Sequence, residues 1–245
     1  MKISAKTDIG AFRESNQDCY MSGLFDNGVA WAVVCDGMGG VSGGQVASKI
    51  CVERVSDAIK RGYRENMNVK TAQNLLNSAI CAANSAVFNE AQNDRELSGM
   101  GTTVVAVLII NGMAVIAHVG DSRAYVFDDT ISLVTKDHSL VQYLFDTGKI
   151  TAEEAKVHPD RNIITRAVGI LSFVDVDFDL VEVGNDKGLL ICTDGLSGSL
   201  EPKQMLEIIK NNADSSAENL VQRAIEAGSR DNITAVLLFA DSQGE

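Results

Sequence analysis

Two prolines, no Cys-x-x-Cys pair and no apolar run of membrane-spanning length: these absences already narrow what this chain of 245 residues can be. Its five cysteines (Cys19, Cys35, Cys51, Cys81, Cys192) form no zinc-ligand spacing and are odd in number, so they read as reduced packing residues. No basic segment followed by an apolar stretch opens the chain, as a secretory leader would require. The expectation is a soluble, cytoplasmic protein with no membrane segment. Basic residues are scarce as well, with 21 Lys and Arg against 33 Asp and Glu, for a formal charge of −12. Nonspecific binding to nucleic acid or to an anionic membrane needs clustered Lys and Arg, so both are excluded as leading functions. Such a balance leaves plain solubility or a carboxylate-lined site for cations. No repeat, low-complexity tract or linker breaks the chain, and residues 1–245 read as one domain with room for a sizeable core.

What is present is patterned. Residues 2–9, 18–25 and Val29–Cys35 read as strands, the last a continuous β-branched and aromatic run cut off by glycines. Helical spacing follows over Gln45–Tyr63 and Val69–Leu97. Asn111-Gly112 between the β-branched runs Thr102–Ile110 and Met113–Val119 is a strong hairpin signal. Shorter strands are expected at Ala124–Phe127, Ile131–Thr135, Phe173–Val183, Gly188–Cys192 and Ile233–Ala240, with helices at Pro202–Lys210 and Ala217–Ala227. Strand meanders after two helices argue for α+β with antiparallel sheets. Between them, residues 139–165 carry a helix stopped near Gly148 and a Thr151-Ala-Glu-Glu154 capping box. That helical insertion is a candidate flap, and an inert excursion fits it equally.

Four aspartates recur at strand termini: Asp36 and Asp194 before glycine, Asp121 in a strand-to-strand turn and Asp231 just before the final strand. Each alone is an ordinary turn former. Four together at one end of a sheet would repel and raise one another's pKa unless a cation neutralised them. Oxygen ligands without His or Cys select Mg²⁺ or Mn²⁺. Two such ions roughly 3.5–4 Å apart would bind a bridging water and aim it at phosphorus. Arg13, with its planar fork of donors, suits a phosphate dianion.

The segments Arg13-x-x-Asn16-x-Asp18, Asp36-Gly-Met-Gly-Gly40, Gly120-Asp-Ser-Arg123, Asp137-His-Ser139, Thr193-Asp-Gly195 and Asp231-Asn232 together resemble, in order, the metal-dependent protein phosphatases (PPM, type 2C), and specifically their bacterial Ser/Thr branch. The resemblance spans essentially the whole chain. It implies a four-layer α-β-β-α sandwich of two antiparallel sheets flanked by helices, with a small helical flap at about 139–165. It also implies hydrolysis of phosphoserine and phosphothreonine in proteins, by a monomeric enzyme that counteracts a cognate Ser/Thr kinase in signalling. Carried over by position, Asp36 bridges two core ions (Mn²⁺ or Mg²⁺) and the Gly37 carbonyl binds the second. Asp194 and Asp231 hold the first, Asp18 acts through metal-bound water, and Asp121 with Asp194 holds a third, weaker ion. Arg13 binds phosphate, and Asn16, Asn232 and His138 support the ligands from behind.

Two positions depart from the pattern. Met38 stands where many eukaryotic members have His, the proposed general acid, and a thioether has no proton to give. Gln45 stands where bacterial relatives usually have Glu. His138 is then one alternative proton donor, with a structural imidazole as the other reading. Two other functions remain open at this level: a catalytically silent phosphoprotein binder, and a hydrolase of small phosphoesters, which needs a deeper, closed pocket.

Overall fold

The computed structural model describes residues 1–40, 42–184 and 187–240. Strands β1 (Lys2–Asp8), β2 (Asp18–Leu24) and β3 (Ala30–Met38) precede helices α1 (Gly43–Gly62) and α2 (Val69–Asn93). Strands β4 (Gly101–Thr102), β5 (Val104–Ile110), β6 (Met113–Val119), β7 (Arg123–Phe127) and β8 (Ile131–Leu133) come next. Short helices α3 (Leu140–Asp146) and α4 (Ala152–Val157) lead to β9 (Asp177–Glu182), β10 (Gly188–Cys192) and α5 (Asp194–Ser197). Helices α6 (Pro202–Asn211) and α7 (Ser216–Glu226) and strand β11 (Ile233–Phe239) complete the described order. One sheet runs β1-β11-β10-β7-β8, the other β2-β3-β5-β6-β9 with β4 on β3, and every pairing is antiparallel.

The layering follows from side-chain alternation along a strand. In β3, Ala30, Ala32 and Val34 point, together with Val105 and Val107 of β5, toward the other sheet, where they meet Leu189, Ile191, Val236 and Leu238. The alternate residues Trp31, Val33 and Cys35 pack under α1 and α2 against Val52, Val55, Leu76 and Ile80. A strand covered on both faces has no polar side, which is why Val29–Cys35 is continuously apolar. The far face of the other sheet, Tyr125, Leu190, Cys192 and Leu237, is covered by Met205, Leu220 and Ala224 from α6 and α7. The four-layer α-β-β-α sandwich stands as expected.

Local departures are small and have reasons. Asp94 stops α2, its side chain accepting from the Glu96 N–H at 2.9 Å, so Arg95–Leu97 forms a separate 3₁₀ turn. The strand expected from Phe173 begins only at Asp177, and Phe173 is exposed. Strand β3 runs past Cys35 through Asp36 and Gly37 to Met38, because β4 supplies a partner there. Between α3 and α4, the Thr151–Glu154 capping box forms as the sequence indicates, with both reciprocal bonds made. Neither helix has a buried residue.

At Gly37, backbones crowd tightly beside the site. A Cβ there would overlap the Gly44 carbonyl oxygen and come within 2.7 Å of the Gln17 oxygen. Gly37→Ala should therefore cost about 3 kcal/mol, the upper range for overpacking, read as a lowered denaturant midpoint at unchanged m-value.

Candidate metal centre

Five carboxylates meet at one end of the sandwich, each delivered by a different piece of chain. Asp18 opens β2 and lies directly opposite Asp36 in the β2–β3 register. The backbone of Asp36 is pinned on both sides: its N–H donates to Thr103 Oγ1 at 2.9 Å, and its carbonyl accepts from Thr102 Oγ1 at 2.9 Å and Thr103 N at 2.8 Å. Asp121 follows Gly120, whose φ of +107° turns the chain sharply after β6. Ser122 bonds Thr103 at 2.7 Å and so ties the Asp121 turn to the Asp36 strand. Asp194 is the first residue of α5 and Asp231 ends the turn before β11. Asp18 and Asp121 are buried, whereas Asp36, Asp194 and Asp231 keep partial contact with solvent.

The electrostatics are those of like charges held together. Burial pushes the Asp18 and Asp121 carboxyls up to about 7 and Asp194 up to about 6. Asp36 is raised well above the ordinary range, first by burial, then by Asp18, Asp194, Asp121 and Asp231. Three carboxylate oxygens in this group, Asp18 Oδ1, Asp121 Oδ1 and Asp194 Oδ1, are buried without a hydrogen-bond partner. Folded proteins rarely leave such atoms unsatisfied. Clustered anionic oxygens with unused lone pairs are a donor set for hard divalent cations. The residues present fit Mg²⁺ or Mn²⁺.

Asn16 and Asn232 make their hydrogen bonds beside the cluster. Asn16 Oδ1 accepts from the Asp18 N–H at 3.1 Å, and its amide donates to Thr7 Oγ1 at 3.0 Å. Asn232 donates to the Ile9 and Ser15 carbonyls and accepts from the Gln17 N–H, locking the loop that carries Arg13 against β11. Arg13, half exposed, donates from Nη2 to Asp231 Oδ2 at 2.6 Å and from Nε to the Arg230 carbonyl at 3.3 Å. Gly37 lies in β3 opposite Thr102, its N–H bonded to the Gln17 carbonyl.

His138 is set apart from the five carboxylates. Its Nδ1 accepts from the Gly120 N–H at 3.0 Å, which leaves the ring proton on Nε2, 3.2 Å from Asp177 Oδ2. Burial holds its pKa below the usual value, against the Asp177 bond. His118, His138 and Asp177 each offer a ligand atom within 4.8 Å of the others. An ion at Nε2 of His138 would have to displace its proton and the Gly120 bond, so the aspartate cluster is the better cation site. Sequence reasoning quoted Arg123 and Asp137 in motifs without a role. They form a two-bond ion pair at 2.9 and 2.7 Å that fastens the segment before His138 to β7. Ser122 and Thr193 likewise stood in quoted motifs without a role, and the Thr102, Thr103 and Thr234 hydroxyls carry no signature along the chain.

With this geometry the family is defined. Residues 13–237 match the family model for protein phosphatase 2C, and the chain belongs to that metal-dependent family of hydrolases. It is 36% identical over 249 residues to the serine/threonine phosphatase stp of Listeria monocytogenes, covering 98% of this chain and 96% of that protein. Identity to the serine/threonine protein phosphatase PstP of Mycobacterium tuberculosis is 32% over 239 residues, covering 97% of this chain and 44% of that one. Among solved structures, the serine/threonine phosphatase Stp1 of Staphylococcus aureus matches with a TM-score of 0.89 at 34% identity, covering 96% of this chain and 93% of that one. The S. agalactiae serine/threonine phosphatase matches at 0.91 and 31%, covering 98% and 99%. Among the described residues no helix is long and apolar enough to cross a membrane.

Proposed function

We propose that this chain removes phosphate from phosphoserine and phosphothreonine in proteins, opposing a cognate Ser/Thr kinase in the cytoplasm. The observation that carries the reading is the convergence of Asp18, Asp36, Asp121, Asp194 and Asp231 with three buried, unpartnered carboxylate oxygens beside Arg13. The curated relatives named as Ser/Thr phosphatases support the substrate class.

In this reading Asp36, the Gly37 carbonyl, Asp194 and Asp231 would hold two core ions, Asp18 would support them through water, and Asp121 with Asp194 would hold a third. When bound, Mn²⁺ or Mg²⁺ would supply Lewis acidity, neutralising the carboxylates and making water nucleophilic near neutral pH. Arg13 binds the phosphate oxygens, and its bond to Asp231 holds the guanidinium at the edge of the cluster. Asn16 and Asn232 keep Asp18 and the Arg13 loop in place. His138 has both nitrogens engaged, so we assign it to holding the Gly120–Asp121 turn rather than to protonating the leaving group. The protein acts as a monomeric, single-domain enzyme, with residues 139–165 as the flap beside the site.

Purified protein should hydrolyse a phosphothreonine peptide with Mn²⁺ and stop when EDTA is added. Turnover that survives chelation would sink the metal mechanism. Rapid turnover of a small phosphoester with the peptide left intact would sink the substrate class.

A further inference from the structure

One group of side chains joins the two sheets under the cluster. Asp18 stands on β2, in the six-stranded sheet. Its Oδ2 accepts from Thr193 Oγ1 at 2.8 Å and from Thr234 Oγ1 at 2.7 Å, both across the sandwich. Thr193 directly follows β10 as the N-cap of α5, and Thr234 lies in β11, so both donors come from the side of the five-stranded sheet. Both threonines are fully buried.

Proton counting fixes the direction of every bond in this network. A hydroxyl has one proton to give. Thr193 Oγ1 accepts from the Thr234 N–H at 3.0 Å, and its proton goes to Asp18. Thr234 also gives its proton to Asp18, so its 2.8 Å bond with Thr7 Oγ1 must be donated by Thr7. Thr7 in turn accepts from Asn16 Nδ2. The donors run Asn16 to Thr7 to Thr234 to Asp18, with Thr193 closing from the other side. With Oδ2 saturated by two donors, rotation of the carboxyl would break two bonds. Oδ1 is left buried, unpartnered and fixed in direction.

We propose that Thr193 and Thr234 are positioning residues, a cross-sheet hydroxyl pair that locks the Asp18 carboxyl so that Oδ1 faces the divalent-cation cluster. The pair couples the spacing of the two sheets to the geometry of the metal centre. The inference rests on the metal-centre reading above. It places two threonines, Thr193 beside Asp194 and Thr234 three residues after Asp231, in service of a distant carboxylate that acts on the ions through water. A purely structural pin would shift stability and leave cation affinity alone.

Calorimetric titration with Mn²⁺ separates the two, with thermal melts in EDTA as the folding control. Thr193→Val and Thr234→Val keep the side-chain shape and remove the hydroxyl. Each should weaken Mn²⁺ binding roughly 10-fold or more, the usual cost of losing a partner that orients a ligand. Thr193→Ser and Thr234→Ser, which keep the donor, should bind Mn²⁺ close to the wild-type protein. Thr7→Val, one link further back and only half buried, should give a smaller loss and serves if a valine at either buried position prevents a cooperative melt. Valine variants, or in that case Thr7→Val, binding Mn²⁺ as the wild type does would overturn the proposal, as would serine variants that lose as much as valine. Wild-type protein that takes up no Mn²⁺ would instead overturn the metal-centre reading itself.

Discussion

Asp36→Asn should lose phosphatase activity by more than about 100-fold, beyond the cost of removing a partner behind a ligand, and yet make the metal-free protein more stable at pH 8. The two effects have one cause. Asp36 is raised well above the ordinary carboxylate range, by burial first and then by four neighbouring aspartates. Ionising it at pH 8 without a cation places a negative charge among others in a poorly solvated site. Asparagine keeps the shape and removes that charge. The same substitution removes the oxygen assigned to bridge the core ions, so Mn²⁺ affinity should collapse along with turnover. Activity on a phosphothreonine peptide and the EDTA melting temperature, measured on one preparation, read both. A variant that loses activity and is destabilised in EDTA would mean that Asp36 serves the fold alone.

Metal-free protein should be more stable at pH 5 than at pH 8, and Mn²⁺ should restore part of what is lost. Burial raises Asp18 and Asp121 from an ordinary 3.8 to about 7 in the fold, and Asp194 to about 6. Between those values the native state holds protons that the unfolded chain has released, so stability falls as pH rises. The contribution is fully present below about 4 and is lost through 6 to 7. A single carboxyl moved from 3.8 to about 7 gives up about 4 kcal/mol over that interval. His138 works the other way, since its pKa is lowered and its share of stability grows as pH rises through the same region. One imidazole does not offset three carboxyls. Saturating Mn²⁺, at about 100 times its dissociation constant, would return about 2.7 kcal/mol at pH 8. A melting temperature that is flat from pH 5 to pH 8 in EDTA would refute the like-charge account of the cluster.

Most elements were legible because their signals are local. The Asn111-Gly112 hairpin, the Thr151–Glu154 capping box and the helices over residues 43–62 and 202–211 all formed where short-range chemistry placed them. Where the reading slipped, the causes differ: the Asp94 side chain ends α2 through a bond to the Glu96 N–H two residues on. Strand β3 outlasts its apolar run because β4 pairs with Gly37 and Met38. Phe173 stays out of β9 and is exposed, although its side chain suits a strand.

The sequence by itself determined which residues would supply charge and which would supply oxygen. Aspartates beside glycine after apolar runs stood out along the chain, and motif order singled out Asp18, Asp36, Asp121, Asp194 and Asp231. Only the tertiary structure decided how those groups are aimed. The Thr193 and Thr234 hydroxyls reach Asp18 across 175 and 216 residues of chain, and the His138 ring holds the Gly120 N–H from 18 residues away. A hydrogen bond depends on direction and on about 3 Å of separation. No pattern along the chain encodes either until the two sheets have packed face to face.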